Sequence, residues 1–102
     1  MKLRWSRRAQ TQFHEAIVYL EEQRPGTGLR FHAAVGELAE LVQQQPRACP
    51  RVPGAEPGEV RRALVSRYGY WLVFEILKDG AEGTMLAVWH TRRRPLGWTK
   101  SR

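Results

Sequence analysis

No aspartate or glutamate occurs in the last twenty positions of the chain, Gly83 to Arg102. Positive charge is therefore unopposed there, and Arg92-Arg93-Arg94 follow one another. Cysteine is nearly absent: Cys49 stands alone, which excludes an intrachain disulfide and makes a reducing, cytoplasmic setting the expectation. No apolar run approaches the roughly 20 residues that cross a bilayer, so no membrane role is expected. Met1 to Arg8 lacks the apolar stretch of a secretion signal. No second histidine or carboxylate stands at ligand spacing from His90, and Cys49 is far off, so neither a metal nor another cofactor is expected. There is no internal repeat and no low-complexity segment.

What is present is a chain of 102 residues with net charge +7 and a pI near 10.5. A hydrophobic content of 42% beside 26% charged residues is that of a chain that buries a core. The length suffices for one domain, residues 1–102, and not for two. The positive excess predicts attraction to nucleic acid or to an acidic protein, without choosing between them.

Periodicity divides the chain. Leu3 to Trp5 reads as a short strand and Ser6 as an N-cap, whose hydroxyl accepts from the free amides of a first helical turn. From Arg7 to Gln23, Ala9, Phe13, Ala16, Ile17 and Leu20 fall on one helical face. Arg24-Pro25-Gly26 breaks that helix. A second runs from about Thr27 to Gln45 with Leu29, Phe31, Ala34, Val35, Leu38, Leu41 and Val42, and Pro46 ends it. Together they predict an antiparallel helix hairpin. Pro46 to Gly58, with four prolines and two glycines, reads as a loop. The period then becomes two: Val60–Ser66, Tyr70–Leu77 and Thr84–Trp89 predict three strands, with turns at Arg67–Gly69 and Lys78–Gly83. The expected fold is α+β, ordered β-α-α-β-β-β, with an antiparallel sheet packed against the N-terminal helix hairpin.

Three fragments carry a resemblance: Val60-Arg61-Arg62-Ala63-Leu64-Val65, Tyr68-Gly69-Tyr70-Trp71-Leu72-Val73-Phe74-Glu75, and Leu86-Ala87-Val88-Trp89-His90-Thr91-Arg92-Arg93-Arg94-Pro95. In that order behind a helix hairpin, they resemble the RelE/ParE superfamily of toxins from type II toxin–antitoxin systems. The last fragment is most similar to the ParE-like and plasmid-stabilisation branch. The resemblance implies a small basic toxin domain over residues 1–102 that inhibits growth when free. It implies a cognate antitoxin, acidic and partly disordered, held in a hetero-oligomer. It also implies one of two targets, DNA gyrase for ParE-like members or ribosome-bound messenger RNA for the RelE branch. Gyrase poisoning is the leading expectation.

For the nuclease alternative, the resemblance implies Arg62 as a sheet cation, with His90 as the candidate acid or base and Arg92 or Arg93 joining them. Leu64 and Trp71 stand where that branch carries cations, and Trp98 lies near the place of its C-terminal tyrosine. An indole stacks on a base but does not exchange protons at neutral pH. The chain is thus short of the nuclease set. Arg61, Arg92, Arg93, Arg94 and Trp98 are the candidates for gripping an anionic target. Alternation puts Arg61 and Arg62 on opposite sheet faces, so only one of them can serve a given surface. Surplus apolar surface at Leu29 and Leu41 is the expected dock for an antitoxin segment. A non-toxic basic nucleic-acid-binding module is a further alternative.

Overall fold

A computed structural model describes residues 1–93. Strand β1 (Lys2–Trp5) leads into helices α1 (Arg7–Gln23) and α2 (Thr27–Gln44). Strands β2 (Glu59–Val65), β3 (Tyr70–Leu77) and β4 (Glu82–His90) follow, in spatial order β1-β4-β3-β2. Strands β2, β3 and β4 form the expected antiparallel meander, whereas β1 joins β4 in parallel, so the sheet is mixed. The helix hairpin carries the chain from β1 across to the far edge. The meander then works back inward, and its last strand arrives beside β1 running the same way.

Ser6 caps α1 as its sequence position predicts, its Oγ accepting from the Ala9 amide at 3.0 Å. The start of α2 is capped from the neighbouring helix. The Glu21 carboxylate accepts from the amides of Gly26 (2.8 Å) and Gly28 (3.0 Å), groups that a helix N-terminus leaves unpaired. A Cβ on Gly28 would meet the Ile17 carbonyl at 2.7 Å, so only glycine lets the helices approach this closely. Helix side chains also serve the sheet edges. Gln43 Oε1 accepts from Leu3, and Gln12 Oε1 accepts from Val88 at 2.9 Å, where β4 has outrun β1.

The buried faces of both helices meet the sheet around Phe31, which is fully buried and contacts Phe13, Tyr68 and Tyr70 at ring separations of 5.2 to 5.9 Å. Behind them lie Leu72, Phe74, Met85 and Val88. A β-bulge interrupts the β3–β4 ladder: Val73 pairs with Ala87 but Phe74 with Met85, leaving Leu86 as the extra residue. The bulge lets both Met85 and Val88 reach the helix side, while Leu86, Ala87 and Trp89 pack into a second cluster with Val60 and Val73.

That second cluster is completed by the proline-rich loop. The Val52 amide donates to Val60 (2.9 Å), the Arg62 amide donates to Pro50 (3.0 Å), and Val52 and Ala55 lie buried against the face opposite the helices. Glu59 anchors the loop. Its carboxylate accepts from Arg47 Nε and Nη2, both at 2.9 Å, and from Arg61 Nε at 3.0 Å. The Arg47 hydrogen bonds, joined by those of Arg61, hold its pKa at about 2, well below the ordinary carboxylate value.

Two outcomes follow. Phe31→Ala should lower unfolding free energy by about 3 to 5 kcal/mol in urea titrations, the usual result of emptying a packed aromatic site. The Glu59 carboxylate is depressed on folding, so its contribution is complete above the ordinary pKa near 4.5 and is lost as pH falls towards 2. Urea midpoints of the wild type and Glu59→Gln should therefore differ above about pH 4.5 and converge near pH 2.

Candidate functional site

The loop covers only half of the sheet face that points away from the helices. The other half is built from β2, β3 and β4, and alternation decides what it displays. Arg62 and Leu64 share this face of β2, Trp71 stands on β3 opposite Leu64, and Trp89 stands on β4 directly opposite Trp71. The Arg62 guanidinium lies 4.0 Å from the centre of the Trp71 ring, and the Arg93 guanidinium 4.1 Å from that of Trp89. Arg8, at the start of α1, approaches Trp89 at 5.9 Å. All three distances fall within the roughly 6 Å over which a cation is attracted to an aromatic face.

These cations differ from the other arginines in what holds them. Arg47 and Arg61 are committed to Glu59, and Arg61 also donates to the Cys49 carbonyl. Arg62 and Arg93 form no ion pair among the described residues. Arg62 Nε is buried with no hydrogen-bond partner, and the indole supplies its contact instead. A guanidinium resting on a ring has fewer rotamers left to lose and still offers its remaining N–H edge, which suits it to an oxyanion. Leu64 beside it is 46% exposed.

His90 sits on the helix side, opposite Tyr70 across the β3–β4 ladder, with the two rings edge-to-face at 5.1 Å. Its Nδ1 accepts from the Arg92 amide at 3.1 Å, which in the neutral ring leaves the proton on Nε2. With Gln12, Glu15, Tyr19 and Arg93 it lines a cleft of about 370 Å³. Burial, reinforced by Tyr19 and opposed by Arg93, pushes the Tyr70 phenol above its usual pKa.

The sequence candidates are thus distributed rather than gathered. Arg62 stands on the half-face away from the helices, Arg93 reaches over Trp89 and also lines the cleft with His90, Arg92 is exposed, and Arg61 is tied into the loop anchor. The nuclease pairing of Arg62 with His90 is not assembled, because the two occupy opposite faces. Arg94 and Trp98 lie outside the described residues. Trp71 and Trp89, expected as core, do pack there, Trp89 at 6% exposure in the second cluster with Trp71 half-buried against it; their direct pairing follows from the hairpin register. Among the described residues no group of three or more His, Cys, Asp or Glu side chains could hold a metal ion. No described helix is long and apolar enough to cross a membrane.

A family model described as "ParE toxin of type II toxin-antitoxin system, parDE" matches residues 3–95. Among solved structures, a chain of the chromosomal ParDE toxin–antitoxin system from P. aeruginosa superposes with a TM-score of 0.72. It is 22% identical in sequence, and the alignment covers 88% of this chain and 95% of that one. A search of curated proteins finds no match.

The contrast between tied and presented arginines is measurable. Arg61→Ala should lower stability by about 1 to 3 kcal/mol, since it removes bonds to Glu59 and to a buried-side carbonyl. Arg62→Ala and Arg93→Ala should each change it by no more than about 1 kcal/mol. Urea titration of the three variants checks this, and equal losses would contradict the distinction.

Proposed function

The chain belongs to the ParE toxin family of type II toxin–antitoxin systems, and from that premise we infer that it arrests growth by poisoning DNA gyrase until a cognate antitoxin captures it. The observation that carries this reading is the open half-face, where two arginines sit on paired tryptophans with no carboxylate partner among the described residues. A cationic surface without a carboxylate partner among the described residues suits an acidic partner.

Two features fit the antitoxin. Its acidic residues would meet Arg62, Arg93 and exposed Arg92, and that steering speeds encounter between opposite charges. Its apolar residues have a groove between α2 and the β2 edge, lined by Ala34, Leu38, Leu41 and Leu64 with a volume near 210 Å³. Leu41 is 61% and Leu29 76% exposed on the same helix, more apolar surface than a solvated helix face needs. A partly disordered segment that folds on binding could cover both surfaces at once.

Gyrase is favoured over messenger RNA because a cleavage site needs an acid or base beside the phosphate-holding cation. Here the sheet cation Arg62 is on the face away from His90, and of the candidate cations only Arg93 lines the His90 cleft among the described residues.

Induced expression should arrest growth, with relaxed plasmid and double-strand breaks in chromosomal DNA, and co-expressed antitoxin should relieve both effects. Toeprints on translating ribosomes should show no codon-specific cuts. Such cuts, with DNA intact, would overturn the gyrase reading.

A further inference from the structure

We propose that the Arg62–Trp71 and Arg93–Trp89 stacks bind single-stranded nucleic acid, with phosphates at the guanidinium edges and unpaired bases on the guanidinium planes. This rests on the reading of the open half-face as the working surface and adds the class of ligand it takes.

Three observations favour a nucleic acid over an acidic peptide. Each guanidinium carbon lies over an indole, 4.0 and 4.1 Å from the ring centre, with Arg62 half-buried and Arg93 exposed, so the side of the group turned from the ring is the one a ligand would meet. A carboxylate uses only the edge, whereas a nucleotide brings a phosphate for the edge and a flat base for the plane. Second, the supporting indoles are direct cross-strand partners, so the two stacks repeat over neighbouring strands whose backbones run about 4.8 Å apart. A repeating cation-and-ring surface matches a polymer that alternates charge with aromatic planes. Third, Leu64 extends the platform with exposed apolar surface opposite Trp71.

Charge on this face points the same way. Glu75 lies beyond Val73 on the half covered by the loop, where a Cβ on Gly58 would run into it, and Glu82 lies further along, opposite Leu77. Glu15 lines the helix-side cleft that Arg93 also borders, but no ion pair joins them among the described residues. Arg62 lies across the sheet from His90, so no acid or base stands beside the phosphate it would hold. The flat sheet selects unpaired strands, since bases in a duplex hide the planes that stacking requires.

The test is fluorescence anisotropy of labelled oligothymidylate and oligouridylate with the full chain, over a salt series. Two phosphate contacts on a single strand should give a log–log salt slope of about −1.4. Arg62→Ala/Arg93→Ala should weaken binding roughly tenfold or more and flatten the slope, while Arg51→Ala, on the loop, should leave both unchanged. Arg62→Lys/Arg93→Lys keeps the charge without the plane. It should keep the slope but lose the quenching of tryptophan fluorescence, which guards against a misfolded alanine variant. Binding of either oligonucleotide supports the proposal, and the tighter one identifies the strand. Absence of salt-dependent binding or indifference to the double alanine change overturns it. Growth arrest scored on the same variants keeps the readings apart: toxicity without oligonucleotide binding sinks this inference and leaves the toxin reading intact.

Discussion

The arrangement of this protein depends on the register between β3 and β4. Trp71 faces Trp89 and Tyr70 faces His90, and alternation sends the first pair to the open side and the second towards the helices. The bulge at Leu86 makes that register compatible with a filled core. Uninterrupted alternation from Met85 would place it on the same side as Ala87 and Trp89. One extra residue returns Met85 to the helix side and still leaves Trp89 outside. A slip of one residue would bury Trp89 under α1 and push His90 onto the open face, exchanging the chemistry of the two surfaces.

Electrostatics then separates arginines tied into the fold from arginines with no ion pair among the described residues. Glu59 engages Arg47 and Arg61 and so secures the proline-rich loop to β2, and the hydrogen bonds that lower its pKa are those that neutralise these two cations. Arg62, one residue further along β2, emerges on the other face, where no carboxylate partner meets it among the described residues and an indole holds it instead. The alternation that lets one strand run past the loop anchor into the exposed platform is a property of any strand. What is particular here is the placement of Trp71 and Trp89 to receive the second class of arginine. Family membership, the unbalanced cations and the apolar groove beside α2 then bear on one biological setting, a toxin with an acidic partner.

Much of the fold was legible in the sequence, because its signals are local. The Ser6 cap, the helical stripe from Ala9 to Leu20, the break at Pro25-Gly26 and the change to period two after Gly58 each act within a few residues, and each stands in the structure. The parallel pairing of β1 with β4, the capping of α2 by Glu21 and the bulge at Leu86 were not legible. They arise from contacts between segments far apart in the chain, or from packing that alternation does not encode. The candidate site was legible in part. The opposite facing of Arg61 and Arg62 follows from a two-residue period, but the loss of Arg61 to Glu59 depends on where the loop lands. That the two tryptophans pack as core was legible from their place in β-like runs; that they also carry the Arg62 and Arg93 guanidinium groups was not.

The central claim is that two arginines lie on paired indoles across the open face while their neighbour Arg61 does not. Proton–carbon correlation spectra of arginine side chains, assigned by substitution, test it most directly. Ring currents should move the δ-methylene protons of Arg62 and Arg93 upfield, with cross-relaxation to Trp71 and Trp89 respectively, and Arg61 should stay near its ordinary position. Unshifted Arg62 and Arg93 signals, or cross-relaxation between Trp89 and Tyr70 in place of Trp71, would contradict the account.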